Sequence, residues 1–145
     1  MAFSVYEIEE GKRLIPRFDL YPILPCITVD AQTGEVLMLG YMNEEALRKT
    51  IETKKATYYS RSRNKIWVKG EQSGLVQHVK EIMIDDDQDC LLIKVVVEGG
   101  ASCHVGYRSC FYRRLLDGSK DELEFTIHEK VFDPVKVYGA HAATH

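Results

Sequence analysis

Residues 85–110 concentrate the side chains in this chain best suited to holding metal ions. Asp85, Asp87 and Asp89 alternate, so an extended backbone would send all three carboxylates to one side. With Asp86 they make four acids in five positions, a mutual repulsion that a bound cation would relieve. Cys103, His104 and Cys110 follow after an apolar stretch and the pair Gly99 and Gly100. Clustered carboxylates suit magnesium, calcium or manganese, whereas thiolates and imidazole suit zinc. Hard and soft ligand sets therefore stand at the two ends of one expected strand. His104 beside a metal could take a proton from bound water. The acidic run is not a helix–loop–helix calcium site: counting from Asp85, Cys90 falls where glycine is needed and Val96 where a bidentate glutamate is needed. The plain alternatives are a solvated acidic turn and a pair of inert buried cysteines.

A second cluster could bind phosphate. Ser60, Arg61, Ser62 and Arg63, with Lys69 and Ser73, combine planar guanidinium forks, short hydroxyl donors and a point charge. Gly70 and Gly74 would let a ligand approach the backbone. Taken singly, each of these residues equally suits an exposed basic loop.

Several elements must position these groups. Residues 23–30 and 35–41 are apolar runs joined by a glycine-containing polar stretch, which predicts a hairpin. The second run is apolar on both faces and predicts a central strand. Asn43 is an expected N-cap, with Glu44 and Glu45 in the first turn of the one long helix. Residues 56–61, 75–84, 91–98 and 107–116 read as further strands, and residues 123–138 as one more strand or an edge arm. The expected fold is α+β: a single β-dominated domain over residues 1–145, barrel-like or of packed antiparallel sheets, with one main helix. Residues 1–22 and 117–145 are terminal arms, and residues 140–145 fray.

Composition narrows the function classes. A net charge of −3 gives no broad basic field, so nucleic-acid binding is not expected. No apolar run has membrane-spanning length and no signal peptide is present, so a cytoplasmic protein is expected. In that compartment the four cysteines are expected as metal ligands or free thiols.

From Leu24 to Arg114 the chain resembles the phosphoribosyl-AMP cyclohydrolase family of histidine biosynthesis. The resemblance is carried by Gly34 through Asn43 (GEVLMLGYMN), Tyr59 through Arg63 (YSRSR), Trp67 through Glu71 (WVKGE) with Ser73 and Gly74, the acidic run, and Cys103, His104, Ser109, Cys110 and Phe111. It implies an enzyme that adds water at C6 of the adenine ring and breaks the N1–C6 bond. It further implies a homodimer binding Zn2+ and Mg2+, with zinc ligands drawn from both subunits. Some members carry a fused helical pyrophosphohydrolase domain, for which the residues after Arg114 are too few, so a monofunctional enzyme is expected. By resemblance Asp85, Asp87 and Asp89 are the magnesium ligands, and Cys103 and Cys110 are two zinc ligands.

The family pattern D-C-D-x-D places a third zinc-binding cysteine where this chain has Asp86, while its own cysteine falls at Cys90. Asp86 could bind zinc through oxygen. Cys90 could replace it, although four residues of extended chain displace it by roughly 13 Å.

The expected chemistry follows from these roles. Zinc would lower the pKa of bound water toward about 7. His104 would act as general base or proton shuttle, Glu71 is the candidate acid for the departing ring nitrogen, and Trp67, Lys69, Ser73 and the 60–63 loop would hold the substrate. Two other readings remain: a non-catalytic metal-dependent dimerisation or binding module, or a zinc hydrolase of another purine-like ring. The H-x-E…P-C-x-x-C signature of nucleobase deaminases is missing.

Overall fold

The computed structural model describes residues 2–138; the expected fraying of residues 140–145 lies outside them. The strands are β1 (Leu24–Asp30), β2 (Val36–Met42), β3 (Thr57–Ser60), β4 (Lys65–Val68), β5 (Gln77–Ile84), β6 (Leu91–Val97), β7 (Arg113–Leu115) and β8 (Leu123–Phe125). The α-helices are α1 (Val5–Glu9), α2 (Glu44–Thr53) and α3 (Pro134–Tyr138). The architecture is α+β and sheet-dominated, with α2 the one long helix among the described residues, as the sequence implies.

The main sheet has the order β2-β1-β6-β5. It is mixed rather than antiparallel: β1 pairs antiparallel with β2 but parallel with β6, Cys26 lying beside Leu91. Pro25 is tolerated inside β1 because the ladder to β6 begins one residue later, where an N–H is needed. Past β5 the chain continues the pairing irregularly, as Ala56 N donates to Gln77 O (3.0 Å) and Val79 N to Lys54 O (2.8 Å). β3 and β4 form a separate hairpin, with Tyr58 beside Trp67. β4 has no counterpart among the expected strands, since four residues beginning with an exposed lysine carry little pattern.

β2 was expected to be central but lies at the sheet's end. Its apolar character has another cause: a loop, not a strand, covers its outer edge. Cys110 N donates to Leu37 O (2.7 Å) and the Ser109 hydroxyl to Val36 O (2.7 Å). Val36 and Leu39 remain exposed. Residues 107–112, expected as strand, are irregular for the same reason, and only Arg113–Leu115 pairs, with β8.

α2 forms where expected. The Asn43 side chain accepts the Ala46 N–H (2.8 Å) and Lys54 closes the helix in a left-handed conformation. Ala46, Leu47 and Thr50 face inward. The core gathers Cys26, Leu37, Met42, Leu47, Tyr58, Leu91, Ile93 and Val95, with Cys26, Leu91, Ile93 and Val95 on one face of the central strands.

A chain of polar groups crosses this core. The Thr28 hydroxyl meets the Tyr58 hydroxyl (2.7 Å), which donates to Gln77 Oε1 (2.6 Å), and Gln77 Nε2 donates to the Ser102 hydroxyl (3.3 Å). Each buried group is satisfied, which removes the desolvation cost of leaving one unpaired. Gly40 lets Tyr58 lie flat against β2, because a Cβ there would sit 2.6 Å from its ring. Gly40→Ala should therefore lower stability by about 1–3 kcal/mol, the range for overpacking a core. Urea unfolding measures this, and an unchanged midpoint would contradict the close approach.

Candidate metal centre and substrate cradle

The acidic run is not extended. Ile84 and Leu91 are the last pair of the β5–β6 ladder, so residues 85–90 are a hairpin turn. Asp85 organises it: Asp85 N donates to Cys90 O (3.0 Å), and Asp85 Oδ1 accepts the N–H groups of Asp89 and Cys90 (3.0 Å each). Gln88 takes a left-handed backbone (φ 58°) and donates its N–H to Asp85 O (3.1 Å). The carboxylates converge because the turn folds on itself, not because alternate strand residues share a face. Ligand oxygens of Asp85, Asp87 and Asp89 lie within 4.8 Å of one another. Hydrogen bonding with Asp87, then burial and the proximity of Asp85, raises the Asp89 carboxyl to about 6. A set of oxygens this close, one of them slow to give up its proton beside its neighbours, fits a hard divalent cation.

The turn also removes the roughly 13 Å displacement that an extended chain puts between Asp86 and Cys90. Both now belong to one compact loop. Asp86 lines a groove of about 380 Å³ shared with Ile8, Lys12 and Arg13. Cys90 is half-buried at the start of β6, and burial followed by the three neighbouring carboxylates raises its thiol.

Cys103 and Cys110 come together in a loop of tight local bonds. Cys103 N donates to Tyr107 O (3.2 Å), Gly106 N to Cys103 O (3.0 Å), and Ser102 N to Arg108 O (3.2 Å). The two thiols are near enough to interact, and the Cys110 side chain, with help from nearby backbone N–H groups, lowers Cys103 to about 6 against the opposing effect of burial. The proximity of Cys103, then desolvation of the sulfur, raises Cys110, although the residue as a whole is exposed. One thiol that ionises readily beside one that does not fit zinc, whose binding would displace the remaining proton. Lys69 stands close enough to feel both sulfurs, and burial lowers its ammonium. His104, next to Cys103, is half-buried and has an interaction partner.

Cys103 rests on a small second core of Tyr107 and Ile127, with Val105 and Tyr112 packed against it. Tyr107 and Tyr112 stack at 4.1 Å, with Phe125 of β8 against both. Sequence reasoning assigned no role to the C-terminal arm, yet it supplies part of this floor. Nothing in the local pattern announces it, since the contacts depend on where β8 docks.

The other expected site residues divide. Ser60 and Ser62 hydroxyls lie 3.3 Å apart, Ser60 Oγ accepts the Arg63 N–H (3.2 Å), and the Tyr59 hydroxyl bonds Asn64. Arg61 lies over the Tyr41 ring (4.1 Å), and Lys69 near the Trp67 ring (5.6 Å). Ser73 caps its own turn through the Leu75 N–H (3.2 Å). Glu71 is exposed in the turn after β4. Gly70 serves the chain itself: with φ 88°, a Cβ there would sit 2.3 Å from Val76 N.

Among the described residues the aspartate trio is the only group of three or more metal-ligating side chains brought together. The thiol pair hangs on β2, the acidic turn on β6, and β1 runs between them. Strand spacing keeps the two groups at least about 10 Å apart within one chain.

The family model for phosphoribosyl-AMP cyclohydrolase matches residues 38–112. Three proteins of that name show the extent of the similarity. One from Rhodopseudomonas palustris (strain BisB18) is 50% identical over 94% of this chain and 95% of its own length. One from Nitrobacter winogradskyi is 51% identical over 96% of this chain and 97% of its own length. One from Chlorobaculum tepidum is 54% identical over 85% of this chain and 87% of its own length.

The thiol pair has a pH signature in the metal-free protein. Cys103 ionises at about 6 when folded against an ordinary value of 9.0. Between those values the unfolded chain holds a proton that the folded chain has released, so stability should rise with pH across this window. Cys110, raised, stays protonated in both states there and adds nothing. Urea midpoints at pH 6 and pH 8.5 check this, and Cys103→Ser should remove the thiol's share of the rise.

Proposed function

The chain belongs to the phosphoribosyl-AMP cyclohydrolase family, and from that premise we propose that it hydrolyses the N1–C6 bond of the adenine ring of phosphoribosyl-AMP in histidine biosynthesis. We further propose that it does so as a zinc- and magnesium-dependent homodimer. The observation that carries the reading is the meeting of Cys103 and Cys110 in a loop that also presents His104, with Lys69 alongside.

Zinc bound by these thiolates would supply Lewis acidity, bringing the pKa of water toward about 7 so that a nucleophile exists at neutral pH. The chain's own residues do the remaining work. His104 takes the proton from the attacking water at an imidazole nitrogen. Arg61, Arg63 and the hydroxyls of Ser60 and Ser62 hold a phosphate on the hairpin turn between β3 and β4. Trp67 offers a ring face to the base, and Lys69 keeps positive charge near the sulfurs. Glu71 donates the proton that the departing ring nitrogen needs. The carboxylates of Asp85, Asp87 and Asp89 would hold a hard cation, which would supply charge for phosphate or ribose oxygens.

Two features support a second copy of this chain. Two sulfurs do not complete a zinc site, and no third cysteine or histidine joins them among the described residues. Apolar side chains of the sheet and its helix, Val36, Leu39, Ile51 and Met83, stand exposed, more than a lone chain gains from leaving in water. The remaining sulfur would come from the 85–90 turn of the second copy. Cys90 suits zinc better there than Asp86, because thiolate is the softer ligand.

Cys110→Ala should lose zinc and ring opening together; turnover at the parent rate without zinc would end the mechanism. His104→Ala should keep zinc while losing on the order of a hundredfold in rate, the usual scale for a general base. Metal analysis of Cys90→Ala and Asp86→Ala separates the third ligand: the first should lose zinc and the second keep it. Incubation of the purified protein with phosphoribosyl-AMP, with and without zinc, tests the activity itself through product absorbance.

A further inference from the structure

We propose that Gln88 is a positioning residue that couples docking of the N-terminal arm to cation binding by the carboxylates on either side of it. The inference rests on the proposed role of Asp85, Asp87 and Asp89 as cation ligands.

Gln88 is an anomaly in its turn. Asp85, Asp86 and Asp87 are exposed, yet Gln88 is only 4% exposed. Every polar atom of its side chain is spent on the arm. Oε1 accepts the Ile15 N–H (2.6 Å), and Nε2 donates to Ile8 O (2.8 Å) and Arg13 O (3.2 Å). Its main-chain oxygen accepts the Arg17 N–H (2.9 Å). One residue thus ties down four positions between residues 8 and 17. The arm has few other anchors: α1 has no buried residue, and Ile15 is the buried apolar side chain among residues 2–20.

The same residue sets the turn. Its left-handed backbone lies between Asp87 and Asp89, and its N–H bonds Asp85 O. Such a conformation is held, for a residue other than glycine, by the contacts around it. Releasing the arm frees Gln88 and loosens the spacing of the carboxylates. Drawing the carboxylates onto a cation fixes the Gln88 backbone and so removes part of the ordering cost of docking the arm. Coupling of this kind is reciprocal. One effect opposes it: Arg17 lies within electrostatic reach of Asp87, and a divalent cation weakens that attraction. A screened pair at exposed positions is outweighed by four short hydrogen bonds.

The test uses the full chain and Mn2+ as the probe. Arm opening is read by trypsin cleavage after Lys12, Arg13 and Arg17, with cleavage after Lys120 as the internal reference. Binding is read from the electron paramagnetic resonance of free Mn2+. In the wild-type protein, saturating Mn2+ should slow arm cleavage at least about fivefold, the low end of ordinary coupling. Gln88→Gly keeps the backbone conformation and removes the tie. It should be cleaved rapidly with or without Mn2+ and bind Mn2+ roughly 10- to 100-fold more weakly, the usual cost of losing a group that orients ligands. Gln88→Asn tolerates the same backbone but stops one methylene short, and it should behave likewise.

Wild-type arm cleavage that ignores bound Mn2+ overturns the inference, and this reading needs no variant to fold. So does Gln88→Gly or Gln88→Asn with wild-type Mn2+ affinity. Asp87→Asn separates the two levels. If it abolishes Mn2+ binding while the arm proves indifferent, only the coupling fails. If it leaves Mn2+ binding untouched, the cation reading fails and takes the coupling with it.

Discussion

The placement of both candidate centres depends on β1. Its antiparallel edge holds β2, to which the thiol loop is fastened, and its parallel edge holds β6, whose first residue follows the acidic turn. A strand buried on one face and bonded on both edges cannot flex to bring those groups together. The hard and soft ligand sets are held apart within a chain by the same hydrogen bonds that hold the fold. That is why the zinc reading leads to a second copy of the molecule rather than to a rearrangement of this one.

The two ligand sets share a physical design. Each places like groups close enough that they cannot all ionise independently. Among the carboxylates the result is a raised Asp89, and between the sulfurs it is one depressed and one raised thiol. Such pairs are poised for a cation that would displace the remaining proton. The surroundings differ as the ligands do. The acidic turn is open to water, whereas Cys103 is buried over tyrosines and adjoins Ser102, the end of the polar chain through Gln77 and Tyr58.

Residue types were legible in the sequence; how the backbone presents them was much less so. The long strands and α2 follow from apolar runs and from Asn43, and the structure forms them within a residue or two of the expected bounds. The acidic run was expected to be extended because alternation is a strand signal. The Asp85 carboxylate instead captures two backbone N–H groups and closes a turn, a bond that periodicity cannot express. Gln88 illustrates the same limit: a single amide between two aspartates has no pattern, and its partners lie more than seventy positions away. Tyr107, Tyr112 and Phe125 read as ordinary aromatics until β8 is docked. The edge position of β2 was hidden because a loop can bury a strand's flank as well as another strand can.

The parallel pairing of β1 with β6 also has a consequence for biosynthesis. Cys26 must wait for Leu91, so the nascent chain can form the β1–β2 hairpin and α2 long before the third strand of the sheet leaves the ribosome. Until then β1 presents a bare edge carrying Cys26, Thr28 and Val29, the kind of edge on which unfinished chains aggregate. Late closure of this sort slows folding, because loop entropy is spent before long-range contacts repay it. That edge is closed only when β6 arrives.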